Sequence, residues 1–386
     1  MGEVVVNRRA RHRIRGGHLW VFRSDVKRSS GTVPGDVVEV RSDQGEFLGQ
    51  AFFSKESRIA LRLITPSHEP VNESFWQGRL TRALSLRKKI TQGTNAYRWI
   101  HGESDGIPSL VVDRYGDYLS FQTLSAGTER LKDVLVRCSV DLVQPAGIIA
   151  RNDQKVRALE GLALAKETLY GEVPRTVAVE DLGLIFQADL WEGQKTGLFL
   201  DQRENRHAAA LYASGRALDV FAYDGGFSLH LARTCEKVLS VDTSAEALAR
   251  LRRNAQRNRF DHIETIEANA FDLLRDLADR KEVFDTIVLD PPAFAKNRAS
   301  VPQARRGYKE INLRALKLLR PGGYLITSTC SYHITEADFL SILAGAAADA
   351  KARLVVAEKR AQSRDHPVLL SMPETHYLKC LILRKW

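Results

Sequence analysis

Ala217-Leu-Asp-Val-Phe-Ala-Tyr-Asp-Gly-Gly-Phe-Ser-Leu-His-Leu-Ala232 decides the fold. Ala217 to Phe221 reads as a strand, Ala222 to Gly226 as a turn, and Phe227 to Ala232 carries apolar residues at helical spacing. Strand, glycine turn and helix in that order open a parallel, doubly wound sheet. From about Gly171, beginning with a hairpin that turns at Asp181-Leu-Gly183, strands and helices alternate to the C-terminus. That alternation predicts a Rossmann-like α/β domain with helices on both faces.

The turn also narrows the ligand. Gly225 and Gly226 let a ligand approach the backbone, because no Cβ stands in the way. The GxGxxG pattern is absent, which argues against a dinucleotide, whose pyrophosphate needs backbone donors at a helix start. S-adenosyl-L-methionine carries no phosphate; its ammonium and sulfonium suit an acid such as Asp219. Phe221 and Tyr223 are assigned to the cofactor together with the turn they flank. The next strand, Val238 to Val241, ends in Asp242, placed to bind both ribose hydroxyls. Thr243 and Glu246 read as a capping box for the helix that follows. Asn269 falls where adenine should lie, and its amide can accept from the exocyclic amine and donate to a ring nitrogen. Each of these features also occurs as plain turn chemistry; their order is what points to a methyl-donor site.

Farther along, the strand Phe284 to Leu289 delivers Asp290-Pro-Pro-Ala-Phe294 at its carboxyl end, the face on which such sheets bind ligands. Pro291 and Pro292 stiffen a loop that could hold a flat base, with Asp290 on the base edge and Phe294 for stacking. The strand Tyr324 to Ser328 follows Arg320-Pro-Gly-Gly323 and ends at Thr329-Cys330-Ser331, so Cys330 is expected on the same edge as Asp290. A thiolate adding to C6 of cytosine would turn C5 into a nucleophile toward the sulfonium methyl. A capping pattern at Thr335 and Asp338 marks a helix start that would favour the thiolate. Cys138, Cys235 and Cys380 read as structural. Lys195 and Arg203 lie in a polar stretch, Gly193 to Asn205, and offer a point charge and a fork for the cofactor's carboxylate.

The chain has 386 residues, more than one ordinary core accommodates. Residues 1–68 are rich in short strand signals (Asp36 to Val40, Phe47 to Phe53, Arg58 to Ile64) and predict a small β-barrel. Residues 71–170 read as an α+β domain with helices at Glu73 to Ile90 and Thr128 to Val140 and a strand at Gly147 to Ala150; residues 171–386 form the Rossmann-like domain. No apolar run is long enough to cross a bilayer, and no secretory signal is recognisable, so no membrane association and a cytoplasmic location are expected. The four cysteines lack CxxC spacing, so no metal is expected. The formal charge of +10 favours a polyanionic partner. Arg8, Arg9, Arg11, Arg13 and Arg15, beside His18 and Trp20, are the candidate RNA-binding arginines of the first domain; a solvated basic tail is the competing reading.

The chain resembles the bacterial PUA-domain 23S ribosomal RNA cytosine-C5 methyltransferases over its whole length. The resemblance rests on Gly197-Leu-Phe-Leu-Asp-Gln-Arg203, the stretch Asp219 to Phe227, Asp290-Pro-Pro-Ala-Phe294, Gly307-Tyr-Lys-Glu-Ile-Asn312, Cys330-Ser331, His366-Pro-Val and Pro373-Glu374. It implies an N-terminal PUA-like β-barrel, a middle α+β domain, a C-terminal class I methyltransferase domain, Cys330 as nucleophile and large-subunit ribosomal RNA as partner. Two positions depart from the family pattern: Asn269 stands in place of an Asp, and Ser331-Tyr332-His333 in place of a small Ser-Gly. The assembly stays open, with a homodimer as one form. Two other readings also stay open: direct methylation of a base nitrogen by the Asp290 loop with Cys330 structural, and an RNA-binding ribosome-assembly factor without catalysis.

Overall fold

Short strands, the longest of them buried almost throughout, build the N-terminal sheet. The computed structural model describes residues 1–386. The chain divides into two units, one of Met1–Glu180, Ala188–Leu200 and Arg364–Thr375, the other of Asp181–Gln187, Asp201–Ser363 and His376–Trp386.

In the first unit, a PUA-like sheet of six strands runs in the order Trp20–Phe22, Ile59–Thr65, Phe47–Phe53, Val37–Ser42, Gly2–Val6, Val26–Ser30. Its inward residues, among them Val4, Val38, Val40, Leu61 and Leu63, form one core. The basic segment near the N-terminus is not a solvated tail. It is a helix, Arg8–Arg15, capped by the Asn7 side chain on Ala10 N. Acids hold its arginines: Arg9 meets the fully buried Asp25 at 2.7 Å, and Arg11 and Arg15 meet Glu46 at 2.7 and 2.6 Å.

The second sheet of this unit has five strands, in the order Ala165–Gly171, Gly147–Asn152, Tyr118–Thr123, Leu110–Tyr115, Ala96–His101. The helix Glu73–Ile90 packs on it, and the segment read as one helix from Thr128 is two, Ala126–Arg130 and Lys132–Val143. Phe52 and Ile64 of the PUA-like sheet enter the same core as Trp76, Leu80, Trp99 and Phe121.

The second unit holds the doubly wound sheet. Its strands are β1 (Gly215–Val220), β2 (Cys235–Asp242), β3 (Ile263–Glu267), β4 (Phe284–Leu289), β5 (Leu319–Thr329), β6 (Leu354–Arg360) and β7 (Lys379–Lys385). The order across the sheet is β3-β2-β1-β4-β5-β7-β6, with β7 antiparallel to both neighbours. The strand order reverses between β1 and β4, so the carboxyl ends of those strands border the ligand-binding crevice of such a sheet. The connecting helices are α1 (Arg203–Tyr212), α2 (Gly226–Leu231), α3 (Ala245–Arg257), α4 (Ala270–Asp279), α5 (Val301–Leu318) and α6 (Glu336–Asp349). Leu218, Val220, Ile287 and Leu289 from the central strands bury against Ile311, Ala315 and Phe339 from α5 and α6. The cap of α3 is shifted by one residue from the expected box: Ser244, not Thr243, accepts from Ala247 N. The Thr335 and Asp338 pair forms both hydrogen bonds of a capping box at α6.

Candidate active site

The glycine turn alternates in handedness. Phe221, Tyr223 and Gly225 all adopt positive φ, at 68°, 50° and 91°. Two of the three carry side chains, and each such residue stores roughly 1–2 kcal/mol of backbone strain, a signature of functional turns. Protein neighbours stand where side chains at 225 and 226 would go. A Cβ on Gly225 would lie 2.7 Å from Leu251, and one on Gly226 would lie 2.5 Å from the Arg206 guanidinium carbon. The open backbone expected for a ligand is thus filled on this side by α1 and α3.

Two acids flank the turn. Asp219, near the end of β1, is 1 % exposed; its Oδ2 accepts from Ser228 Oγ at 2.5 Å, while its buried Oδ1 meets no donor. Burial pushes its carboxyl up to about 7, the Ser228 hydrogen bond opposes this, and the Asp290 charge adds to it. Asp242, at the end of β2, accepts from Tyr223 N and Ser244 N, both at 2.9 Å. It therefore braces the turn as well as ending the strand. Arg250 lies over the Tyr223 ring at 5.0 Å.

Asn269 is exposed and caps α4, its Oδ1 accepting from Phe271 N at 2.9 Å. That oxygen is committed to the backbone, which leaves the amide NH₂ as the group this residue turns outward. Arg203 starts α1 and is 3 % exposed. Lys195 lies in the first unit, over the Phe199 ring at 4.6 Å, in a segment whose Thr196 donates to Asp113 and whose Leu198 N donates to Tyr115 Oη at 3.1 Å. The polar stretch read as one element divides after Leu200.

The loop after β4 is clamped to the end of β5. Asp290 Oδ1 accepts from Gln202 Nε2 at 2.7 Å, Ala295 N donates to Ser331 Oγ at 3.1 Å, and Tyr308 Oη lies 2.9 Å from Ser331 Oγ. Thr329 Oγ1 donates to the same Tyr308 oxygen at 2.8 Å. Pro291 is buried and Pro292 exposed. Phe294 is half-buried, its ring 4.5 Å from Tyr308 and 6.0 Å from Phe271. Cys330 follows β5 directly and is partly exposed, whereas the other cysteines are buried. Burial pushes the Cys235 thiol to about 11 and the Cys380 thiol to about 12. A thiol reacts as its thiolate, so those two are inert near neutral pH.

Sequence reasoning missed the roles of Tyr308, Gln202, Arg206 and Ser228. Tyr308 and Gln202 do lie inside the motifs quoted above, but which atoms they reach depends on the packing of α5 and α1.

A family model described as "S-adenosylmethionine-dependent methyltransferase" matches residues 157–383, and one described as "PUA-like domain" matches residues 4–66. The chain belongs to the S-adenosylmethionine-dependent methyltransferase family. Among relatives of this methyltransferase, proteins named "Ribosomal RNA large subunit methyltransferase I" are 39% identical in Shewanella denitrificans, over 96% of both chains, and 39% identical in Escherichia coli, over 94% of both. A solved structure from Streptococcus mutans, named as a SAM-dependent methyltransferase, shares the fold with TM-score 0.85 at 22% identity over 100% of both chains. The methyltransferase's cofactor is S-adenosyl-L-methionine, and the residues fit it: the unmet, buried Oδ1 of Asp219 is an acceptor suited to an ammonium. No helix is long and apolar enough to cross a membrane.

Proposed function

We propose that this methyltransferase forms 5-methylcytosine in large-subunit ribosomal RNA, with Cys330 as the transient nucleophile. The observation that carries the proposal is the partly exposed Cys330 at the carboxyl end of β5, next to a loop pinned to Ser331. The names of its relatives support the substrate class.

When bound, S-adenosyl-L-methionine supplies an electrophilic methyl group on a sulfonium. Asp219 would take its ammonium, Arg203 its carboxylate, Asp242 its ribose hydroxyls and the Asn269 amide its adenine, while Phe221, Tyr223, Gly225 and Gly226 would shape the turn that holds it. Pro291, Pro292 and Phe294 hold the flat base, and Asp290 bonds its edge. The Cys330 thiolate then forms an S–C6 bond, which moves the C5–C6 π pair to C5 and into the new bond to methyl. The cofactor would supply that methyl and keep the electron pair of the broken methyl–sulfur bond. A base takes the C5 proton, the C5–H pair restores the double bond, and the S–C6 pair returns to Cys330 as thiolate.

Cys330→Ala is expected to abolish methylation of ribosomal RNA while leaving cofactor affinity unchanged, and RNA containing 5-fluorocytidine is expected to trap the wild type covalently. A fully active Cys330→Ala enzyme would overturn the covalent route in favour of direct transfer to a base nitrogen.

A further inference from the structure

A buried lysine lies one strand away from Cys330. Lys379 opens β7, pairs in register with Thr329 of β5, and is 5 % exposed. Its Nζ donates to the carbonyl oxygens of Ser331, at 3.3 Å, and Tyr377, at 3.2 Å. Lys379 is thus tied to the residues on both sides of Cys330, its backbone by register with Thr329 and its side chain by a hydrogen bond to Ser331. Two carbonyl acceptors use two of the ammonium's three donors. Lysine is rarely this buried without a counter-charge.

We propose that Lys379 is a positioning residue whose fixed ammonium stabilises the Cys330 thiolate, both before it attacks the base and when it is released. This deepens the reading of Cys330 as nucleophile and rests on it. The thiol proton goes to solvent and Lys379 keeps its own, so the pair is neutral as a whole. A cation beside a cysteine is one of the standard ways of raising its thiolate fraction.

The start of α6, capped by Thr335, favours the thiolate as well, whereas Tyr308, Asp290 and Glu336 do not. Tyr308 from α5 is buried and pushed above its ordinary value, so it stays neutral. Asp290 after β4 is acidic, and Glu336 at the start of α6 is paired with Lys359 at 2.7 Å. Burial draws Lys379 below its ordinary value, while the Cys330 and Glu336 charges act in the opposite sense.

The test is alkylation of Cys330 by iodoacetamide as a function of pH in the full-length protein, followed on the Cys330 peptide by mass spectrometry. Lys379→Gln keeps a donor for the carbonyls and removes the charge; its alkylation midpoint is expected to rise by about one pH unit, whereas Lys379→Arg stays near wild type. An unmoved midpoint in folded Lys379→Gln overturns the proposal. Should that variant fail to fold, the wild type decides: a midpoint at or above the free-thiol value of about 8.5 overturns it. The two readings fail separately. An active Cys330→Ala enzyme removes the nucleophile without touching the alkylation result, and an unmoved midpoint with an inactive Cys330→Ala enzyme removes only the role of Lys379.

Discussion

Asp219, proposed to take the cofactor's ammonium, has its charge set by burial. With its carboxyl pushed up to about 7, it is partly protonated in the free protein near neutral pH. Relative to an unfolded carboxyl at about 4, the native state holds an extra proton between those values, so this group's contribution to stability is full at low pH and is lost as pH rises through about 7. An incoming ammonium favours the ionised form. Cofactor affinity is therefore expected to rise between about pH 6 and 8 and then level off, and calorimetry on Asp219→Asn should show weaker binding with that dependence lost. The same variant is expected to melt at a higher temperature than wild type at about pH 8 in the absence of cofactor. Asp242 differs, because backbone donors from Tyr223 and Ser244 already engage it. Asp242→Ala should weaken cofactor binding by roughly 1.5–3 kcal/mol, the scale of a hydrogen bond to a charged group, and affinity equal to wild type in the folded variant would remove it from the site.

At the scale of elements, the loop after β4 depends on α5. Tyr308 is fully buried and bridges Thr329 and Ser331 on one side and the Phe294 ring on the other. Tyr308→Phe keeps the ring packing but removes one hydrogen bond each from the Thr329 and Ser331 hydroxyls, which keep backbone donors from Ser331 and Ala295, costing about 1 kcal/mol of stability for each bond. Methylation is expected to slow while cofactor affinity holds, since the loop after β4 loosens and the glycine turn does not; an unchanged rate in denaturation-matched assays would place the loop's rigidity elsewhere. Gly226→Ala tests the packing of α1 against the turn. The added Cβ meets the end of the Arg206 side chain, which must shift, so the cost by thermal or urea unfolding is expected at the low end of overpacking, about 1 kcal/mol.

At the scale of the molecule, the first unit carries the question of RNA recognition. Cutting after residue 68 would be a poor test, because Phe52 and Ile64 belong to the core built on Trp76, and the Phe52 and Trp76 rings stack at 5.6 Å. Surface substitutions avoid that damage. The exposed Arg8 and Arg58 are the choice, since Arg9, Arg11 and Arg15 are held by acids within the same sheet. Arg58 also borders a cavity of about 360 Å³ lined by Phe22, Arg23 and Ser57. Arg8→Glu with Arg58→Glu is expected to weaken RNA binding and to lower the log-log salt slope by roughly 0.7 for each single-strand phosphate that is no longer neutralised. Cofactor affinity should stay constant, and an unaltered slope would move recognition to other surfaces.

The sequence alone determined the succession of strands and helices in the catalytic domain, because hydrophobic periodicity and turn residues are local: β4 was legible to the residue, as was the helix Glu73–Ile90 of the first unit. It also singled out the strand ends that bear Asp219, Asp242, Asp290 and Cys330, since a parallel sheet places its carboxyl termini on one edge. What the glycines at 225 and 226 avoid was decided by tertiary structure, because Leu251 and Arg206 reach them from other helices. Tertiary structure also decided the pairing of the N-terminal arginines with Asp25 and Glu46. The approach of Lys379 to the end of β5 is of the same kind, since β7 reaches Thr329 only after the chain has passed through α6 and β6. Such contacts are set by which surfaces pack together, and no local pattern of residues carries that information.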